Sequence, residues 1–108
     1  MLKAKFFVEK CGNIVGFDIS GHSGYAELGS DIVCAAVSSV AYMVANTLID
    51  VIGVQADVVV NEKVGRMRLE VDKKDIALCR DIFNGFKSHL IMLGEVYPDN
   101  INVSYVEV

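Results

Sequence analysis

The sequence predicts an α+β domain, a two-layer sandwich in the order ββαββαβ, and three observations carry that reading. Short stretches rich in Val, Ile and Phe stand at both ends and in the middle of the chain, two longer apolar segments lie between them, and Gly, Asn and Asp punctuate the joints. That order favours an antiparallel or mixed sheet with two helices packed on it. A length of 108 residues gives one domain, residues 1–108, with enough chain to fold without a metal or a disulfide framework.

Residues 1–10 and 13–20 read as two strands joined by a Gly/Asn turn at Cys11, Gly12 and Asn13. Residues 21–30, GHSGYAELGS, carry three Gly and read as a loop. Ser30 and Asp31 then supply N-cap chemistry for a helix over Ile32–Ile52 that stops at Gly53. Two further strands follow at 55–61 and 65–71, joined through Glu62 and Lys63; in the second, Met67, Leu69 and Val71 alternate with Arg66, Arg68 and Glu70. Asp72 caps a second helix, in which Ile76, Cys79, Ile82, Phe83, Phe86, Leu90 and Leu93 recur at three- and four-residue steps, ended by Gly94 and Pro98. Residues 101–108 form the last strand.

Between Asp31 and Asp50 the first helix carries no charge. Its length barely suffices for a membrane span, but Ser38, Ser39, Asn46 and Thr47 lie within it, acids flank it, and the rest of the chain is patterned as a soluble domain. A helix apolar all round in a small domain needs a second cover, and the simplest is a partner subunit. The 53% hydrophobic content and the mean hydropathy of +0.41 point the same way, so the expected state is a homodimer.

Ten basic residues against 14 acidic ones leave a net charge of −4, which argues against nucleic acid and anionic membrane as partners and suits a basic protein. Cys11, Cys34 and Cys79 are odd in number with no C-x-x-C spacing, which fits a reducing cytoplasm. The first apolar run, Phe6 to Val8, is too short for a secretory signal.

Cys34 is the most informative residue. With Asp31 as N-cap it falls at the third helical position, where the helix dipole and first-turn N–H groups favour a thiolate and can also receive an oxyanion. The bland alternative is a small buried residue packing a helix start. His22 lies twelve residues earlier at the other end of the Gly-rich loop, so loop closure can bring it beside Cys34 as general base and acid, or leave it a solvated loop residue. Ser38, one turn after Cys34, either orients the imidazole or substrate or bonds the carbonyl four residues back. Asp31 is an N-cap, with or without a role in orienting His22.

Other constellations are weaker. GHSG matches the G-x-x-G of a KH domain but lacks the helices and basic surroundings that loop works with. His22, Glu27, Asp31 and Cys34 have no recognised metal-ligand spacing, so no metal is expected. His89 sits on a polar helix side, and Cys11 and Cys79 read as turn and core residues.

The runs Gly21-His22-Ser23-Gly24 and Gly29-Ser30-Asp31-Ile32-Val33-Cys34-Ala35-Ala36-Val37-Ser38, with the spacing between them, resemble the ribosomal-processing cysteine protease family, Prp. The element order is similar over essentially the whole chain; the family commonly has Ala where this sequence has Ser23. The resemblance implies a homodimeric cytoplasmic cysteine endopeptidase without cofactor. Its expected partner is the precursor of large-subunit ribosomal protein number twenty-seven, cut after a Phe-rich N-terminal extension. By position it implies Cys34 as nucleophile, His22 as base, Gly21, Asp31 and Ser38 as supporting residues, and the Gly-rich loop as a lid. The rival class is a noncatalytic dimeric module that binds a basic ribosomal protein through its acidic surface.

Overall fold

The computed structural model describes residues 1–22, 24, 26 and 31–108. Strand β1 (Leu2–Val8) buries Leu2, Ala4 and Phe6 and exposes Lys3 and Lys5, as strand alternation requires. It pairs antiparallel with β2 (Ile14–Ser20) through a tight connection in which the Glu9 and Asn13 backbones bond at 3.0 Å and Gly12 takes φ +89°. Then come helix α1 (Ile32–Asn46), β3 (Ala56–Asn61), β4 (Arg66–Val71), helix α2 (Ile76–Val96) and β5 (Ile101–Glu107). The predicted order ββαββαβ holds.

The sheet runs β3-β4-β2-β1-β5, antiparallel throughout except that β5 lies parallel to β1, so it is mixed. Both helices pack on one face. There Phe17 of β2 meets Phe86 and Phe83 of α2 edge to face, at centroid distances of 4.9 and 6.4 Å, and Phe6 meets Phe86 at 5.6 Å. Val33, Val37 and Val44 of α1, with Leu48 just beyond its end, fill the remainder of this core. Ile32–Ile52 is long and apolar enough by length and composition to cross a membrane, and one face of it, about a third of the segment, is packed into this core.

Two boundaries differ from expectation. After Asn46 the first helix widens to a π-helical turn over Thr47–Ile52, where the Thr47 hydroxyl donates to the Met43 carbonyl at 2.7 Å and competes for the backbone acceptor. The second helix passes Gly94 and ends after Val96. Gly is tolerated there because Leu90 and Leu93 anchor that turn in the core, and Tyr97, preceding Pro98, is pushed out of helical geometry to φ −124°, ψ 65°. Asp72 caps a short 3₁₀ turn, Lys73–Asp75, which leads into α2.

Candidate active site

The first turn of α1 is built around Asp31. Its backbone is extended at φ −79°, ψ 100°, and its carboxylate Oδ1 accepts the N–H groups of Val33 and Cys34, both at 3.0 Å. The side chain is only 5% exposed, so the cap is enclosed by the fold. Cys34 is fixed at the third helical position, half-buried, as the spacing predicted. The Val33 and Cys34 N–H groups both donate to the Asp31 carboxylate. Replacing Asp31 by Ala leaves both donors without that acceptor. We expect a stability loss of about 1–2 kcal/mol, read in a thermal melt as a Tm lower by roughly 5–10 °C, with Asp31→Asn keeping most of the cap.

Cys34 opens into a cleft of about 520 Å³ between the first half of α1 and the β3–β4 side of the sheet. From α1 the stripe Ile32, Ala35, Ser38 and Tyr42 forms one wall; Val60, Glu62, Gly65, Arg66 and Met67 form the other, with Leu2 and Ile19 between. His22, Asp31 and Gly21 line the same cleft, so the structure brings together the five residues Gly21, His22, Asp31, Cys34 and Ser38. The second apolar face of α1 therefore has a local explanation: part of it lines this cleft.

His22 reaches the cleft because the chain turns sharply at the end of β2. Gly21 takes φ +85°, and a Cβ there would stand 2.9 Å from the Met1 carbonyl oxygen, so only Gly fits without a backbone shift. The exposed imidazole then lies against Gly65 of the β3–β4 turn. Next to Gly65, Arg66 is held by Asp18 of β2 through Nε to Oδ1 at 3.2 Å and a terminal nitrogen to Oδ2 at 2.8 Å. The hydrogen bonds that Arg66 donates to Asp18, aided by the carboxylate charge, move the guanidinium still further above its ordinary range.

Glu27 and most of the Gly-rich loop lie outside the described residues, so the lid assignment and the four-residue metal constellation fall there in whole or in part. Cys11 is exposed, His89 is exposed on α2 away from the cleft, and Cys79 is fully buried, its pKa pushed up by burial and by the nearby Asp75 charge. The wall from β3 and its turn was not anticipated. Its residues read as an ordinary strand and polar connector, and their place beside His22 depends on the long-range pairing of β2 with β4.

A half-buried thiol at a helix start and an imidazole in one apolar cleft define the class, a thiol-dependent hydrolase. The family model for the cysteine protease Prp matches residues 1–102. The Bacillus subtilis (strain 168) ribosomal processing cysteine protease Prp is 27% identical over 95 residues, covering 84% of this chain and 85% of its own. The Staphylococcus aureus ribosomal processing protease Prp, solved with a covalently linked product peptide, superposes with a TM-score of 0.90 at 24% identity, over 98% of this chain and 100% of its own. A Streptococcus mutans protein gives a TM-score of 0.84 at 24% identity, over 100% and 99%. This chain belongs to the Prp family of ribosomal processing cysteine proteases. It is a cysteine endopeptidase, which sets aside the noncatalytic module.

Proposed function

We propose that this protease removes the N-terminal extension of large-subunit ribosomal protein number twenty-seven during ribosome biogenesis. Cys34 is the nucleophile and His22 the general base and acid. The observation that carries this reading is the placement of both side chains in one cleft whose walls are largely apolar, suited to a peptide rich in Phe. Staphylococcus aureus relatives of the same fold hold a substrate peptide and a covalently linked product peptide, in keeping with covalent catalysis.

The Cys34 thiolate adds to the scissile carbonyl carbon. His22, as imidazolium, gives its proton to the leaving amine nitrogen as the C–N bond breaks, and a thioester remains. Water then loses a proton to His22 and adds to the thioester carbonyl; the C–S bond breaks and the thiolate is restored. Asp31 holds the first turn, Gly21 aims His22, and Ser38 lies one turn along from Cys34 to contact the imidazole or substrate. The enzyme acts in the cytoplasm as a homodimer, a state supported by the exposed Met43, Ile49 and Val51 on the α1 segment beyond the cleft.

A synthetic peptide spanning the precursor junction tests the substrate. We expect a single cut after the Phe-rich segment, with kcat/KM falling about tenfold or more for each Phe replaced by Ala, the scale of a lost buried aromatic contact. An uncut peptide, or equal cutting without the Phe residues, overturns it.

A further inference from the structure

We infer that Gly65, in the turn between β3 and β4, is a positioning residue for the reaction: its bare α-carbon is the seat against which the His22 imidazole is set. This rests on His22 being the base. Gly65 is remote in sequence from the His22 and Cys34 blocks, yet a Cβ added to it would stand 3.0 Å from His22 Cε1, 3.3 Å from His22 Nδ1 and 3.0 Å from the Gly21 carbonyl oxygen. Separations of 3.0–3.3 Å are tighter than nine in ten real Cβ contacts, so a neighbour must give by a few tenths of an ångström. The Gly21 oxygen is main chain in a turn already constrained by its φ of +85°. The imidazole is an exposed side chain and the Gly21 oxygen is main chain, so the ring is the member that shifts more readily.

Two other glycines separate this contact from backbone strain. Gly12 and Gly53 also take positive φ, +89° and +84°, but a Cβ on either meets nothing within 4 Å. They need Gly for conformation alone, whereas Gly65, at φ +61°, needs it for conformation and for the ring beside it. Both sides of the contact are anchored. Asp18, four residues before His22 on the strand that leads into it, grips Arg66, the residue after Gly65, with two hydrogen bonds. The β3–β4 turn and the His22 segment are thereby held in one register, and the imidazole is oriented by the space a missing side chain leaves.

The test compares Gly65→Ala, Gly65→Asn, Gly12→Ala and His22→Ala on the junction peptide. Gly65→Ala is expected to lower kcat about 10- to 100-fold, the scale of a small misplacement of a catalytic group, with KM little changed. Gly65→Asn relieves part of the dihedral strain but keeps the Cβ, so it should lose a similar amount. Gly12→Ala should leave kcat at the wild-type level. Thermal melts add a readout independent of turnover: the Tm lost on Gly65→Ala should be smaller in the His22→Ala background, where the ring is gone. Wild-type kcat in both Gly65 variants alongside an inert His22→Ala overturns this inference alone, and so does an equal loss from Gly12→Ala. Full turnover by His22→Ala overturns instead the reading of His22 as base.

Discussion

Cys34→Ala loses peptide cleavage by roughly 10³-fold or more, the scale seen when a covalent nucleophile is removed, while its thermal melt stays within a few degrees of the parent protein. The expectation of an intact fold follows from the site. Cys34 is only half-buried, Ala has the highest helix propensity, and the bond that fixes this turn runs from the Cys34 backbone N–H to Asp31, which the substitution leaves in place. Loss of activity with an unchanged melt thus isolates the thiol from the scaffold. Cleavage followed by chromatography of the junction peptide, beside circular dichroism of the same samples, reads both quantities. Activity retained in Cys34→Ala would remove the nucleophile from the account.

The second large effect falls on His22. Removing a general acid and base lowers turnover by about 10²- to 10⁴-fold, and His22→Ala should lie in that range with KM little altered. The imidazole is exposed in the cleft and its removal opens no core cavity, so stability should hold. His22→Ala is also the background in which a Cβ at position 65 no longer meets the ring, so the stability lost on Gly65→Ala should be smaller there. A His22→Ala enzyme with near-wild-type kcat would contradict the assignment.

Much of this architecture was legible in the residues, because the informative patterns were local. The alternation of β4, the three- and four-residue apolar steps of α2 and the Asp31 cap each lie within one element, and each was found where the pattern put it. What escaped was non-local or a balance of small terms. Gly94 reads as a helix stop, yet the packing of Leu90 and Leu93 outweighs its weak propensity and the helix runs on to Val96. The π-helical turn after Asn46 turns on one Thr47 hydroxyl bond that no periodicity reveals. The parallel seating of β5 on β1 and the pairing of β2 with β4 join residues far apart in the chain, and it is the second of these that carries Gly65 and Arg66 to His22.

The same division runs through the site. Cys34, Asp31 and Ser38 share one helix face, so their spacing alone joins them, and His22 was placed with them on loop closure and on the family's spacing. The apolar second face of α1 was read as a subunit contact because a sequence shows that a face must be covered without showing by what. Ile32 and Tyr42 turn out to line a cleft, while Met43, Ile49 and Val51 are exposed.

The central claim is a covalent intermediate on Cys34, and acid-quenched mass spectrometry during turnover of the junction peptide tests it most directly. The account predicts protein heavier by the mass of the released N-terminal fragment less one water, the acyl group held as a thioester, with the added mass on the proteolytic fragment that contains Cys34 and none on those with Cys11 or Cys79. Steady cleavage with no adduct, or an adduct carried by another residue, would contradict it.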